Sequence, residues 1–168
     1  MLIAYQGILP KIHSSTFIAQ GAMIVGDVTI GEESGVWFNC VLRGDLDWIE
    51  VGKRTNIQDG AVVHLDKGFP CLIGDDVTIG HGAIVHGCTI GDGAMIGMGA
   101  IILTGAKIGE RAIVAAGAVV REGQEVPPEK LAMGVPAQIK RDLTPADLER
   151  ARLGKDDYVV RGQLMRKG

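Results

Sequence analysis

Apolar residues recur at every sixth position through most of this chain of 168 residues. Glycine often follows an apolar anchor directly, and a small residue usually lies four positions after it. A helix repeats its apolar residues at three and four positions and a strand at two, so neither fits a period of six. The pattern is typical of a solenoid of short strands and tight turns, whose β-branched anchors fill the interior. The anchors are Ile12, Ile18, Ile24, Ile30, Val36, Leu42, Val51, Ile57, Val63, Ile73, Ile79, Val85, Ile90, Ile96, Ile102, Ile108, Val114 and Val120.

The composition agrees with a narrow solenoid. Glycine contributes 25 residues, about twice its average usage, and aromatic residues make up only 4% of the chain. A narrow β-helix interior has little room for aromatic rings, and the length suits a single domain. We therefore predict one all-β domain, with a β-helix over residues 12–125, a linker over 126–142 and a helical tail over 143–168.

The predicted tail begins with a helix-start pattern. In Thr144-Pro145-Ala146-Asp147, threonine can cap the helix, proline suits the first helical position and aspartate lies three residues after the cap. Gly154 predicts a break, after which a second helix runs from Tyr158 to Met165. We expect this tail to pack along the outside of the solenoid.

Charge and cysteine usage narrow the classes of function. The net charge is −3 and no basic run is present, which argues against nucleic acid as a partner. The uncharged stretch from Gly93 to Ala106 is too short and too rich in glycine to span a bilayer. Three cysteines without paired spacing, and an N-terminus without a signal pattern, favour a reducing compartment. We expect a cytoplasmic protein that binds neither nucleic acid nor membranes.

The repeat is interrupted twice. Val51 lies nine positions after Leu42, with the segment 43–47 between them, and Ile73 lies ten positions after Val63, with the segment 66–70 between them. Insertions in a solenoid become loops on one face, which is often the binding face. The sequence therefore predicts two loops on the same side of the molecule.

Counting by hexads converts these spacings into geometry. If each hexad forms one side of a triangular coil, every third hexad returns to the same face. Arg43, His64 and His86 each lie one residue after an anchor of the same face, so they form a ladder with rungs about 4.8 Å apart. Two imidazoles on neighbouring rungs can reach one ion with Zn–N bonds of about 2.0–2.1 Å.

A second ladder lies on the preceding face. Asp59 and His81 are each two residues after an anchor there, so His81 is separated by a corner from His64 and His86 of its own chain. The three histidines can converge if a neighbouring subunit presents its second ladder to this first one. A head-to-tail contact of that kind must close into a ring, and a triangular prism favours three subunits. We predict a homotrimer with metal sites at its subunit boundaries.

Three neutral imidazoles leave a fourth coordination position open, which is typical of catalytic rather than structural zinc. A bound ion lowers the pKa of its water to about 7 and so supplies a hydroxide nucleophile. Gln58 could hydrogen-bond this water or satisfy backbone groups at a corner. Arg43 could bind an anion or form an ion pair with Asp45 or Asp59.

The ordered motifs resemble those of the gamma-class carbonic anhydrase family over nearly the whole chain. They are Arg43-Gly44-Asp45, Asn56-Ile57-Gln58-Asp59-Gly60, His64, Gly80-His81 and His86-Gly87-Cys88. The resemblance implies a left-handed parallel β-helix with a C-terminal helix, assembled as a homotrimer. The implied reaction is the reversible hydration of carbon dioxide to bicarbonate.

The resemblance also implies roles for individual residues. The metal ligands are His64 and His86 of one subunit and His81 of the next. An interfacial ion pair joins Arg43 and Asp59, with Asp45 nearby, and Gln58 contacts the metal-bound hydroxide. Tyr158 aligns with a tyrosine of the C-terminal helix of the family.

The chain departs from the archetype at two places. Leu46 follows Asp45 where the archetype has a glutamate, and the loop after His64 is short, with Asp66 as its only acid. Both missing acids are linked to proton export, so this chain resembles the shorter type of the family.

Three imidazoles suit zinc, ferrous iron and cobalt alike. The alternatives are a coenzyme A-dependent hexapeptide-repeat acyltransferase or thioesterase, and a non-catalytic metal-binding trimeric scaffold.

Overall fold

The six-residue repeat folds into short parallel strands, each of which stacks in register on the strand one coil later. The computed structural model describes residues 1–167; Gly168, the last residue of the predicted tail, lies outside the described residues. Ile57 pairs with Ile79, which pairs with Ile96, while Val63 pairs with Val85 on the next face. The chain is a left-handed parallel β-helix of hexapeptide repeats followed by a helix, which confirms the predicted fold class.

Twenty strands and one helix make up the described chain. They are β1 (Leu2–Ile3), β2 (Lys11–Ile12), β3 (Phe17–Ile18), β4 (Met23–Ile30), β5 (Gly35–Val36), β6 (Val41–Val51), β7 (Asn56–Ile57), β8 (Val62–His64), β9 (Cys71–Ile73), β10 (Thr78–Ile79), β11 (Ile84–His86), β12 (Thr89–Ile90), β13 (Met95–Ile96), β14 (Ile101–Ile102), β15 (Lys107–Ile108), β16 (Ile113–Val114), β17 (Val119–Val120), β18 (Glu125–Val126), β19 (Lys130–Met133), β20 (Gln138–Asp142) and α1 (Pro145–Lys167). One sheet has the order β17-β14-β11-β8-β6-β9-β12-β15-β18, and the other runs from β20 through β19, β16, β13, β10, β7 and β5 to β3.

The anchors form the core because the period of six turns each of them inward. The anchors Ile79 and Ile96 are fully buried. The small residues four positions later, Ala83 and Ala100 respectively, are fully buried as well. Glycine after an anchor lets successive coils approach closely. A Cβ built on Gly80 would lie 2.7 Å from the backbone nitrogen of Met98, a distance that real Cβ atoms do not show.

The first interruption of the repeat is a strand, so the prediction of a loop there is wrong. β6 continues from Val41 to Val51 and joins two faces of the prism, and it pairs along β4 with one irregularity between Gly26 and Val28. The reason is that β4, although shorter than β6 (8 residues against 11), pairs with both of its ends, Val41–Gly44 and Ile49–Val51, and keeps the strand extended across the extra residues. The second interruption is a loop as predicted, closed by a bridge between Asp66 and Phe69.

The solenoid extends beyond both predicted ends. β1 pairs with β4 near the N-terminus. The segment predicted as a linker, residues 126–142, instead continues the coil: Val126 pairs with Ile108 and Ala132 pairs with Val114. β20 then runs antiparallel to β19 and covers the end of the second sheet. Buried Val126 and Ala132 fill the interior as anchors do, although Pro127 and Pro128 separate them.

The C-terminal tail is one helix of 23 residues, so the predicted break at Gly154 is wrong. Ion pairs on both sides of the glycine hold the helix, since Arg152 binds Asp156 and Lys155 binds Asp76 of the solenoid. The predicted start is confirmed, because Asp147 accepts from the Thr144 amide at 2.9 Å and its own amide donates to Thr144 Oγ1 at 3.2 Å.

Candidate metal centre

His64 and His86 lie on adjacent rungs of one face, as the hexad count predicted. β8 and β11 pair in register, which sets His64 directly beside His86. Their ring centroids are 5.2 Å apart, and His64 Nδ1 lies 3.2 Å from His86 Nε2. Both side chains are partly buried.

Asp45 contacts the outer nitrogen of His64, which is Nε2, the ring nitrogen that faces away from His86. Its Oδ1 lies 2.9 Å from His64 Nε2, and its Oδ2 accepts a hydrogen bond from Arg43. Burial by itself would raise the pKa of Asp45, but the hydrogen bonds from His64 and Arg43 outweigh it and leave this pKa below its ordinary value. Asp45 is therefore ionised at neutral pH and can only accept, so His64 Nε2 carries the proton. Within the chain, Arg43 pairs with Asp45 rather than with Asp59.

The outer nitrogen of His86 is held by Thr104, which the sequence reasoning missed. His86 Nδ1 lies 3.0 Å from Thr104 Oγ1, and this hydroxyl donates at 3.0 Å to Asp66 Oδ2. The register contained the signal, because the strand of Ile102 stacks directly on that of Val85. A polar residue just beyond that anchor must lie close to His86.

These contacts leave two unprotonated nitrogens facing each other. In the neutral rings the protons of His64 and His86 point at Asp45 and Thr104, so the lone pairs of Nδ1 and Nε2 meet across 3.2 Å. Two lone pairs repel unless a cation lies between them. Two nitrogens about 2.0–2.1 Å from one tetrahedral ion lie about 3.3 Å apart, so this pair fits a shared transition metal ion.

His81 lies on a different face, two residues after the end of β10 in the other sheet. Asp59 Oδ2 lies 2.9 Å from His81 Nδ1, as the predicted second ladder requires. The hydroxyl of Tyr158, on α1, lies 3.3 Å from His81 Nε2, and its ring packs edge-on against Trp37 at 5.1 Å. Burial, and then the charge of Asp59, raises the pKa of Tyr158.

A single chain does not bring three ligands together. Within residues 1–167, no group of three or more His, Cys, Asp or Glu side chains is arranged to hold a metal ion. His64 and His86 supply two nitrogens on one face, and His81 supplies another around the corner. A complete three-histidine site therefore requires a second copy of the chain.

Gln58 lies in a buried chain of side-chain hydrogen bonds rather than against the backbone at a corner. Its Nε2 donates to Asn56 Oδ1 at 3.0 Å, and Asn56 Nδ2 donates to Thr78 Oγ1 at 2.9 Å. Gln58 immediately follows Ile57, on the same coil as Asp59. The amide is thus held in one orientation by a neighbouring side chain.

A strip of apolar side chains covers the outer side of the face that carries His64 and His86. Each member directly precedes an anchor, so it points away from the core, and strand pairing stacks the members in order. Val62 and Ile84 are 37% and 39% exposed in the single chain. We call this the outer apolar strip, formed by Val41, Val62, Ile84, Ile101 and Val119.

The one helix of the described chain does not suit a bilayer. Across residues 1–167, no helix combines the length and the apolar character that crossing a membrane demands.

Known proteins resemble this chain along most of its length. A model of the family described as "Bacterial transferase hexapeptide (six repeats)" matches residues 70–102 and 87–122. A probable carbonic anhydrase of Methanocaldococcus jannaschii is 51% identical over 88% of this chain and 93% of its own length. The mitochondrial gamma carbonic anhydrase 2 of Arabidopsis thaliana is 40% identical over 92% of this chain and 58% of its own length. A crystal structure of a putative acetyltransferase from Bacillus cereus superimposes with a TM-score of 0.98 at 44% identity, covering 99% of this chain and 96% of the other.

Proposed function

Because this chain belongs to the gamma-class carbonic anhydrase family of hexapeptide-repeat proteins, we propose that it is a metal-dependent carbonic anhydrase. It hydrates carbon dioxide reversibly to bicarbonate at the subunit boundaries of a homotrimer. The observation that carries this proposal is the pair of lone-pair nitrogens of His64 and His86, 3.2 Å apart, each with its other nitrogen already engaged.

His64 and His86 of one subunit and His81 of the next would hold the ion. When bound, the metal supplies a nucleophile from water at neutral pH, because it lowers the pKa of that water to about 7. Each histidine has an outer partner that fixes its ring, with Asp45 on His64 and Asp59 on His81. Such carboxylate–histidine contacts set the tautomer and increase the basicity of the ligand.

The remaining site residues are proposed to act around these three histidine ligands. Gln58, fixed by Asn56, would orient the attacking water. Arg43 is partly exposed and bound to Asp45, and its outer guanidinium donors are proposed to reach Asp59 of the next subunit. In the single chain the Tyr158 hydroxyl lies 3.3 Å from His81 Nε2, the nitrogen that would hold the metal, so a bound ion would replace this contact and leave the hydroxyl free to donate at the mouth of the site.

The outer apolar strip supports trimerisation. Apolar residues on the water side of a solenoid face are costly unless another surface covers them. This strip is continuous with the ladder of His64 and His86, so the subunit that covers it would also approach both ligands. A heterologous contact of this kind closes only as a ring, and the triangular section favours three subunits.

We propose zinc, ferrous iron or cobalt as the metal, because all three accept imidazole ligands. We also propose a cytoplasmic location, since the three cysteines are free and buried, as suits a reducing compartment.

A coenzyme A-dependent acyltransferase is the second candidate, because the similar Bacillus cereus protein is named a putative acetyltransferase. Acyl transfer needs one general base, whereas His64 and His86 are paired for a cation. A metal-binding scaffold is the third, because Leu46 and the short loop at Asp66 lack the acids linked to proton export.

The direct test is stopped-flow CO₂ hydration by protein loaded with zinc or, without air, with ferrous iron. His86→Ala should abolish the metal-dependent rate, while His13→Ala, a change at a histidine far from the site, should leave it unchanged. Absence of hydration with either metal at full occupancy would contradict the proposal and favour the scaffold. Acyl-CoA turnover that survives a chelator would favour the acyltransferase.

A further inference from the structure

Thr104 and Asp66 form a chain of two hydrogen bonds that starts at His86 Nδ1, and no step of the proposed reaction uses it. We propose that Thr104, held by Asp66, is a positioning residue that fixes the tautomer of His86 and directs its Nε2 lone pair at the metal. This inference rests on the proposed metal centre. It gives the short loop after His64 a function of its own in ligand orientation.

The direction of each hydrogen bond follows from the chemistry of the groups. A carboxylate only accepts, so the single hydroxyl proton of Thr104 is donated to Asp66 Oδ2 at 3.0 Å. The Thr104 oxygen must then accept at its 3.0 Å contact with His86 Nδ1, which places the ring proton on Nδ1. A neutral imidazole with its proton on Nδ1 has its only lone pair on Nε2.

Asp66 does not replace Thr104 as the direct partner. Its Oδ2 lies 3.8 Å from His86 Nδ1, beyond hydrogen-bond distance, so the hydroxyl is the link between them. The two ligands of one face are therefore oriented differently. His64 is held by the carboxylate of Asp45 directly, and His86 is held by a carboxylate acting through a hydroxyl.

The loop that carries Asp66 is itself fixed. The Phe69 amide donates to the Asp66 carbonyl at 3.0 Å, which closes the turn, and the Gly68 amide donates to Asp47 Oδ2 at 2.8 Å. Asp47 belongs to the first interruption of the repeat, in the middle of β6. Both interruptions thus contribute to the geometry of the ligand pair, one through Asp45 and the other through Asp66.

The test compares Thr104→Val, which keeps the shape and removes the hydroxyl, with Thr104→Ser, which restores it. Thr29→Val, an exposed threonine on a distant coil, is the matched control. Two quantities are measured for each purified trimer: the affinity for Zn²⁺ by chelator competition, and the His86 tautomer from ¹H–¹⁵N NMR of metal-free protein at one pH. Loss of such outer partners typically weakens metal binding 10–100-fold.

We expect Thr104→Val to weaken zinc binding by about 10–100-fold and to lose the uniform Nδ1–H tautomer of His86. Thr104→Ser and Thr29→Val should retain both properties of the wild type. Unchanged zinc affinity and tautomer in Thr104→Val, beside a wild type that binds zinc tightly, would overturn the positioning role and leave the metal centre intact. Failure of the wild-type trimer to bind zinc would instead overturn the proposed function, and the inference with it.

Discussion

Replacing Ile84 should separate the subunits without unfolding the chain. Ile84 lies in the middle of the outer apolar strip, where it stacks between Val62 and Ile101. The following anchor, Val85, is fully buried and is not altered by the change, so the solenoid core stays intact. Ile84→Ala removes apolar contact at the proposed boundary, and Ile84→Glu places a carboxylate there.

The size of the effect follows from the exposure of this side chain. Ile84 is 39% exposed in the single chain. Complete burial of an isoleucine side chain is worth about 1.5–3 kcal/mol, so covering the remaining two-fifths stabilises the assembly by about 1 kcal/mol per subunit. Over three subunits this is about 3 kcal/mol, or about a 100-fold change in the association constant. A buried, unpaired carboxylate costs several kcal/mol per ion, which predicts complete dissociation of Ile84→Glu.

Sedimentation equilibrium over a range of protein concentrations measures these changes, and far-UV circular dichroism checks that the coil remains folded. Ile139→Glu is the control, because Ile139 is 43% exposed and lies on β20, outside the strip. The dissociated Ile84→Glu chain should also lose tight zinc binding, since each site needs two subunits. If Ile84→Glu sediments as the wild type does, the strip is not the subunit boundary and the reasoning fails.

Two other predictions concern the tail and the interior. Hydrogen bonds from Arg141 and then Thr144 hold the pKa of Asp147 well below its ordinary value, so its stabilising contribution is complete above a pH of about 4 and is lost as the pH falls further. The urea midpoints of the wild type and Asp147→Asn should therefore differ at pH 7 and converge toward pH 2; a constant difference would contradict the cap. Burial raises the pKa of the Cys40 thiol to about 11, and a hydrogen bond with Cys71, then burial, raises the pKa of Cys88 well above its ordinary value. We expect no cysteine to react with a thiol reagent at pH 8 until guanidinium unfolds the chain, and rapid labelling of the native protein would contradict this.

The period of six allowed the solenoid and both ladders to be predicted, because it determines which residue of each hexad points inward. Once Val63 and Val85 are stacked, His64 must lie beside His86, and the stacking of Ile57 on Ile79 brings Asp59 to His81. The positions of these two pairs follow from counting residues in the six-residue period, so the sequence alone is enough to predict them.

The features that the sequence reasoning missed depend on contacts between distant segments. The helix continues past Gly154 because Lys155 reaches Asp76 and Arg54 reaches Asp156 at 2.7 Å, pairs that no local pattern reveals. β6 remains extended because β4 lies beside it. Thr104 could not be predicted from the ladder for a different reason: it lies two residues after its anchor Ile102, whereas the ladder of His64 and His86 consists of residues one position after an anchor.

The central claim is a metal site shared between subunits, and a mixture of two inactive variants tests it most directly. His81→Ala and His86→Ala chains are unfolded together, refolded at equal concentration with zinc and assayed for CO₂ hydration. In a head-to-tail ring, a site is intact only where a His81→Ala subunit supplies His64 and His86 and the neighbouring His86→Ala subunit supplies His81. Random assembly of equal amounts gives this arrangement at about a quarter of the sites. The account predicts recovery of about a quarter of the wild-type rate, with each variant inactive alone. A refolded, trimeric mixture with no activity, beside a refolded wild type that is active, would contradict it.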